Sequence, residues 1–288
     1  MVQQNLKEIL QMKKVGIAYH PLNIRAPELT RKLATTLESK GLEYWLSSAW
    51  DASELCPHFP GTDLILTVGG DGTILRVSQL LDGLPIPITG VNLGQLGFLT
   101  EIPADDNGEK LIALLDGKGW LDERAMLDAE LVQIVQGGKE HLSFHALNDV
   151  VVARGAIARI IEVTAAIDGA RVDTYKADGA LVATATGSTG YSLAAGGPVL
   201  NPRSTDLLLV PILPHLSMHY PLVLHPESVI TLKLSTPNPA TLSIDGHISI
   251  ELFDGAVITV KASAKLTRFL RVDPPGYFYA SLQRKLKG

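Results

Sequence analysis

Residues 63–81 read Asp-Leu-Ile-Leu-Thr-Val-Gly-Gly-Asp-Gly-Thr-Ile-Leu-Arg-Val-Ser-Gln-Leu-Leu. The short apolar run from Asp63 to Val68 has the form of a buried strand. From Asp71 to Leu81, Ile74, Val77, Leu80 and Leu81 recur at helical spacing, so a helix is predicted there. Gly69-Gly70-Asp71-Gly72-Thr73 joins the two. A strand running through a glycine loop into a helix is a building unit of a parallel α/β sheet.

The surrounding hundred residues repeat the unit. Val15 to His20 is a second apolar run, and Pro27 opens a helix with Leu29, Leu33 and Leu37 on one face, closed near Gly41. Further strands are predicted at Leu42–Ser47 and Ile86–Asn92. The expectation is an α/β N-terminal domain with an open, mostly parallel sheet. After about Gly119 the pattern changes to strands separated by turn signals, among them Gln136-Gly137-Gly138 and Ile167-Asp168-Gly169. Alternating apolar residues mark Leu242–Leu252 and Ala256–Val260. The predicted domains are therefore 1–104, carrying the glycine loop, and a β-rich 119–264. Asp105–Lys118 covers the boundary, and the tail 265–288, with a short helix at Tyr277–Lys287, returns to the first domain.

Composition limits the function classes. The chain has 288 residues, 46% hydrophobic and 19% charged, with a net charge of −5. That balance leaves no basic footprint for nucleic acid. A single cysteine, Cys56, permits no intrachain disulfide and suits a reducing compartment. No apolar run is long enough to cross a bilayer or resembles a signal peptide, so a cytoplasmic protein without a membrane partner is expected.

Three segments carry chemistry. In the glycine loop, the backbone can approach a ligand closely, and the following helix N-terminus offers unpaired N–H groups and partial positive charge. An Asp in such a phosphate cradle repels phosphate, so Asp71 makes sense as a metal holder or as the acceptor of a proton from an attacking hydroxyl; its plain alternative is a helix N-cap. The loop lacks the Lys-Ser/Thr pair of a P-loop, and no GxGxxG follows any strand. Thr184 to Ser192, after Asp178-Gly179 and before Gly196-Gly197-Pro198, crowds hydroxyls around Tyr191, which suits phosphate and base binding or a plain strand edge. Asn148-Asp149 suits ribose hydroxyls or a purine edge, or a β-turn.

Together these segments resemble the NAD kinase family. Gly69–Thr73 matches its first motif, Asn148-Asp149 its Asn-Glu pair, and Asp178 to Pro198 its third motif. Gly90-Val91-Asn92-Leu93-Gly94, Leu96-Gly97-Phe98-Leu99, Asp245-Gly246 and Lys285-Leu286 fit as well. Three departures stand out: Asp149 for the usual Glu, Gly190 for Ala, and Tyr220 where an Arg is common.

The resemblance implies an α/β domain with a β-sandwich-like C-terminal domain and the site between them. It implies transfer of a phosphoryl group from ATP, with a divalent cation such as Mg²⁺, to the 2′-hydroxyl of the adenosine ribose of NAD. Asp71 would be the proton acceptor. Gly72 and Arg76 would sit beside the dinucleotide phosphates, with Gly70 in the same binding set. Asn148, Asp149, Lys176, Asp178 and the run Thr189, Gly190, Tyr191, Ser192, Leu193 and Ala194 would bind NAD, as would Arg159 and His247. No dedicated metal ligands are expected. Relatives are homodimers or homotetramers, in which a neighbouring subunit can complete the site.

Overall fold

The computed structural model describes residues 12–94, 97–106, 108–156, 159–215 and 220–287. The chain divides into two compact units, Met1–Glu123 with Thr267–Gly288, and Arg124–Leu266.

The first unit is built on parallel strands in the order β2-β1-β3-β4: β1 (Lys14–Tyr19), β2 (Glu43–Ser48), β3 (Leu64–Gly69) and β4 (Ile88–Asn92). All six residues of β3 are buried, as its continuous apolar run requires of a strand covered on both faces. Helix α1 (Ala26–Ser39) carries Pro27 in its first turn and buries Leu33, Ala34 and Leu37 on the face that joins Val15, Ile17, Leu64 and Leu66 in one core. Gly41, at φ 71, follows its end. A short helix α2 (Ala52–Leu55) precedes β3, and α3 (Asp71–Leu81) follows it, burying Ile74, Val77 and Leu81. The predicted strands and helices agree with these within one or two residues.

One expectation needs correction. Asp105–Lys118, assigned to a boundary, holds α4 (Glu109–Leu115), whose Leu111 and Leu114 belong to the first unit's core. Its acids and glycines are flanks of a helix, and the first unit continues to Glu123. The chain re-enters this unit at Thr267, where Phe269 pairs with Ile88 of β4.

The second unit is antiparallel. One sheet has the order β12-β11-β10-β7-β14-β15, from β7 (Asp149–Arg154), β10 (Gly179–Ala183), β11 (Leu207–Ile212), β12 (Leu222–Leu224), β14 (Ala240–Ile244) and β15 (Ile248–Leu252). The other runs from β16 (Val257–Arg271) through β13 (Ile230–Ser235) and β8 (Ile161–Ile167) to β9 (Ala170–Ala177), with the hairpin of β5 (Trp120–Val135) and β6 (Gly138–Ala146) paired to β16. Strands β5 and β16 contribute residues to both units. Alternate residues of both sheets, such as Val150, Val182 and Leu242 with Val163, Tyr175 and Leu232, share one core. That is a sandwich. Both glycine-marked turns form hairpins; Asp168 and Gly169 take the positive φ of 52° and 80° that such tight turns demand.

The other face of the first of these sheets is also buried. Val151, Leu181, Ala183, Leu208 and Val210 form a second cluster, covered by Ala195 and Leu200. The hydroxyl-rich segment is thereby held against β7, β10 and β11. Short helix α5 (Tyr191–Ala194) lies in that segment, and α6 (Tyr277–Lys287) ends the chain.

Candidate active site

In the first unit, β3 delivers the chain to Gly70, the N-cap of α3, in an extended conformation at φ −109. Asp71 is the first helical residue, and its side chain caps no N–H of the helix. Its carboxylate instead reaches the segment after β4: Oδ2 accepts the Phe98 N–H at 2.8 Å and Oδ1 the Leu99 N–H at 3.1 Å. The helix-cap reading of Asp71 therefore fails. Each carboxylate oxygen keeps a lone pair beyond the one its backbone donor takes.

The glycines serve space rather than unusual dihedrals, since none of Gly69, Gly70 and Gly72 has positive φ. A Cβ on Gly69 would lie 2.1 Å from Thr73 Oγ1, while Cβ atoms on exposed Gly70 and Gly72 would meet nothing within 4 Å. Those two open the helix N-terminus to a ligand. Arg76, one turn on, lays its guanidinium 4.5 Å above the Trp50 ring, which packs against His20 at 4.2 Å. Stacking leaves the in-plane N–H groups available to an anion. Leu96 lies outside the described residues.

Behind Phe98 and Leu99 stands a buried ionic network. Arg271 donates through Nη1 to Leu99 O at 3.1 Å and Glu101 Oε2 at 3.0 Å, and through Nε to Asp122 Oδ2 at 2.8 Å. Glu101 Oε1 accepts the N–H groups of Val272 and Asp273. The segment that holds Asp71 is thus tied to the end of β16.

In the second unit, Asn148 and Asp149 form the corner between β6 and β7, and Asp245 organises it. Asp245 Oδ2 accepts the Leu147 N–H at 2.8 Å, and Oδ1 accepts those of Asn148 at 2.7 Å and Asp149 at 3.0 Å. Asp245 sits with Gly246 at positive φ, 50° and 68°, in the turn joining β14 to β15. The sequence carried a signal for that turn, an Asp-Gly between alternating apolar residues, but none for the carboxylate's role. Thr184 closes the corner from below, its hydroxyl donating to Leu147 O at 2.6 Å. A Cβ on Gly187 would lie 2.1 Å from Asn148 O. The Asn148 side-chain oxygen is buried without a hydrogen-bond partner.

Burial and the adjacent Asp245 push the Asp149 carboxyl up to about 7. Burial also raises Asp245, but its three N–H donors and the nearby His247 pull it back. Donors that favour the charged form make Asp245 the ionised member of the pair, and Asp149 the one that holds a proton.

The hydroxyl-rich segment is less free than its composition suggests. Ser188 donates to Ala185 O and accepts from Leu200 N–H, and Thr189 donates to Thr186 O at 3.3 Å. These hydroxyls shape the turn. Tyr191 is the exception, 47% exposed at the start of α5, between exposed Gly190 and buried Ser192. Leu193 is half-buried and Ala194 exposed. A methyl group on Gly190 would lie 3.4 Å from Gly187 O, an ordinary contact, so the turn does not require glycine there. His247 shares the Asp245 turn, its Nδ1 3.2 Å from Asp245 O.

Lys176 and Asp178 are not brought to this cluster. Asp149 pairs with Ala183 at one end of β10, whereas Asp178 lies beyond Gly179 at the other. At the rise of a strand, roughly 15–20 Å separates them. There Asp178 Oδ1 pairs with Arg154 Nε at 2.9 Å, and Lys176 with Glu162 at 3.2 Å. Arg159, also expected at the site, is exposed in the link after β7, and Tyr220 is exposed too.

Residues 3–118 match the ATP-NAD kinase N-terminal domain and residues 147–272 the ATP-NAD kinase C-terminal domain. An NAD kinase of Dehalococcoides mccartyi is 50% identical over 96% of either chain, and one of Chloroflexus aurantiacus is 38% identical over 96% of this chain and 99% of its own. Among solved structures, an NAD kinase from Archaeoglobus fulgidus in complex with ATP is 28% identical, with a TM-score of 0.77 over 95% of this chain and 98% of that one. Yeast NADH kinase complexed with NADH shares the fold, with a TM-score of 0.83 at 24% identity over 96% and 88% of the two chains. With both domain models matched in order and relatives this similar over nearly the whole length, the chain belongs to the ATP-NAD kinase family, enzymes that phosphorylate NAD with ATP.

Proposed function

We propose that the chain transfers the γ-phosphoryl group of ATP to the 2′-hydroxyl of the adenosine ribose of NAD, with Asp71 as the proton acceptor. The carrying observation is the placement of Asp71: a carboxylate in the open glycine loop that caps no helix and is aimed by two backbone N–H groups. A purely phosphate-binding loop gains nothing from that charge. The 2′-oxygen attacks Pγ as the bond from Pγ to the bridging oxygen of ADP breaks, and the hydroxyl proton passes to Asp71. Positioning and charge neutralisation carry most of such a transfer.

Gly70, Gly72 and the first N–H groups of α3 would face phosphates, with Arg76 beside them. Asn148 and Asp149 would hold NAD: the unpartnered Asn148 oxygen accepts from the ligand, and protonated Asp149 donates to it. Tyr191, with Thr189, Gly190, Ser192, Leu193, Ala194 and His247, would line the same region. A divalent cation, Mg²⁺ in this reading, would neutralise the ATP phosphates. Mg²⁺ keeps several waters and takes phosphate oxygens readily, and the described residues contain no cluster of three His, Cys, Asp or Glu that could cage a metal.

The protein is read as a cytoplasmic homodimer or homotetramer. Lys176, Asp178 and Arg159 would contribute to the site of a neighbouring copy, since β10 separates the first two from Asn148 within one chain. No described helix is long and apolar enough to cross a membrane.

The test is turnover of NAD with ATP and Mg²⁺, read by chromatography for NADP, in wild type and Asp71→Asn. The variant is expected to lose at least roughly 10²-fold in kcat with little change in KM for NAD, the scale of a positioned proton acceptor. A near-normal kcat would sink the role of Asp71, and a product phosphorylated elsewhere than the 2′-oxygen would sink the regiochemistry.

A further inference from the structure

We propose that Lys285, on the last helix of the chain, binds a phosphate oxygen of ATP beside Asp71. The inference rests on the glycine loop being the phosphoryl-transfer site. Helix α6 docks through Phe278, whose ring lies 6.4 Å from that of Phe98. Phe98 is the residue whose N–H holds Asp71 Oδ2. The Lys285 ammonium stands 5.7 Å from the same Phe98 ring centroid, so one residue carries the carboxylate on its backbone and the cation on its ring.

The ammonium is in an unfavourable place for a structural lysine. Lys285 is half-buried, and no carboxylate among the described residues lies within ion-pair distance of it. Burial, helped by the like charge of Arg271 on β16 and Arg284 on its own helix, lowers it to about 8; Asp71 and Glu101 pull the other way. A partly desolvated cation gains most from an anion that it can contact directly. The N-terminus of α3, with exposed Gly70 and Gly72, is where ATP phosphates would supply that anion. The cation offsets the phosphate charge that Asp71 alone would repel.

Steady-state kinetics of Lys285→Met and Lys285→Arg decide the matter. Methionine keeps the apolar stem on Phe98 and removes the charge; arginine keeps the charge at every accessible pH. Lys285→Met is expected to raise KM for ATP at least about tenfold and to leave KM for NAD within about twofold, as the loss of one charge-assisted phosphate contact predicts. Wild-type kcat/KM for ATP should fall about fivefold between pH 8 and pH 9 as the ammonium, at about 8, deprotonates, since free-enzyme groups govern that ratio. Lys285→Arg should stay flat over the same range.

An unchanged KM for ATP in Lys285→Met, or equal rises for both substrates, would overturn the proposal. So would a Lys285→Arg profile that falls as wild type does. If Lys285→Met does not fold, the arginine profile alone carries the decision. The role of Asp71 is decided by a different number, the kcat of Asp71→Asn, so failure of one reading is distinguishable from failure of the other.

Discussion

A Cβ atom on Gly97 would lie 2.1 Å from Asp71 Oδ1. Gly97 precedes Phe98 and Leu99, whose N–H groups hold that carboxylate, so the absence of a side chain at 97 lets the backbone close over Asp71. Gly97→Ala must move either the carboxylate or the segment. Misplacement by about 1 Å at a reacting group costs up to roughly 10²-fold in rate. Gly97→Ala is therefore expected to lower kcat at least tenfold while KM for NAD stays near wild type. An alanine variant with full kcat would show that the Asp71 position is not critical.

Asp245 makes the corresponding prediction for the second unit. Its carboxylate takes the N–H groups of Leu147, Asn148 and Asp149. Asp245→Ala leaves buried donors unsatisfied, each at about 1–3 kcal/mol, and frees the Asn148 corner. A lower melting temperature and a raised KM for NAD are expected together. Asp245→Asn keeps one acceptor oxygen and should fall between wild type and alanine. Melting loss with an unchanged KM for NAD would confine Asp245 to a folding role.

The Asp149 carboxyl predicts a pH dependence of stability. Its folded pKa of about 7 lies above the ordinary carboxylate value, so between about pH 4 and pH 7 the folded state holds a proton that the unfolded chain has lost. This group's contribution is most favourable at the acidic end and is lost as pH rises through that range. Asp149→Asn mimics the protonated form at every pH. Relative to wild type, the variant should gain melting temperature at both pH values, and at least about 3 °C more at pH 7.5 than at pH 5, on the scale of 1 kcal/mol or more. Parallel melting curves for the two proteins across that range would refute the assignment of the proton to Asp149.

How far these residues were legible in the sequence follows from how far apart their partners lie. The strand-loop-helix unit around Gly69–Thr73 is local, so periodicity and glycines marked its ends within a residue or two. Helix α4 escaped because its two core leucines are set among acids and glycines that carry a linker's composition. The Asp71 anchor was hidden because its donors lie 27 and 28 residues away, and the Asp245 anchor because its donors lie 96 to 98 residues away. No local pattern encodes such pairings. Motif resemblance gave Lys176 and Asp178 to NAD binding along with Asn148 and Asp149, and the register of β10 places them at the end of that strand away from Asp149.

Tyr191 separates a binding ring from a structural one. The residues before it, Thr184 to Ser188, are buried and engaged, and Ser192 after it is buried, yet the Tyr191 side chain stands 47% exposed. An aromatic ring bound for the core would be covered, since burying it stabilises by about 1.5–3 kcal/mol. Left half in water at the rim of a tight turn, it offers a flat face to a base or ribose. Tyr191→Ala is therefore expected to lower the melting temperature by no more than about 4 °C, because only about half of the side chain is covered. KM for NAD should rise several-fold more than KM for ATP. Equal rises, or a large loss of thermal stability with unchanged KM values, would mean that the ring supports the turn and does not contact the dinucleotide.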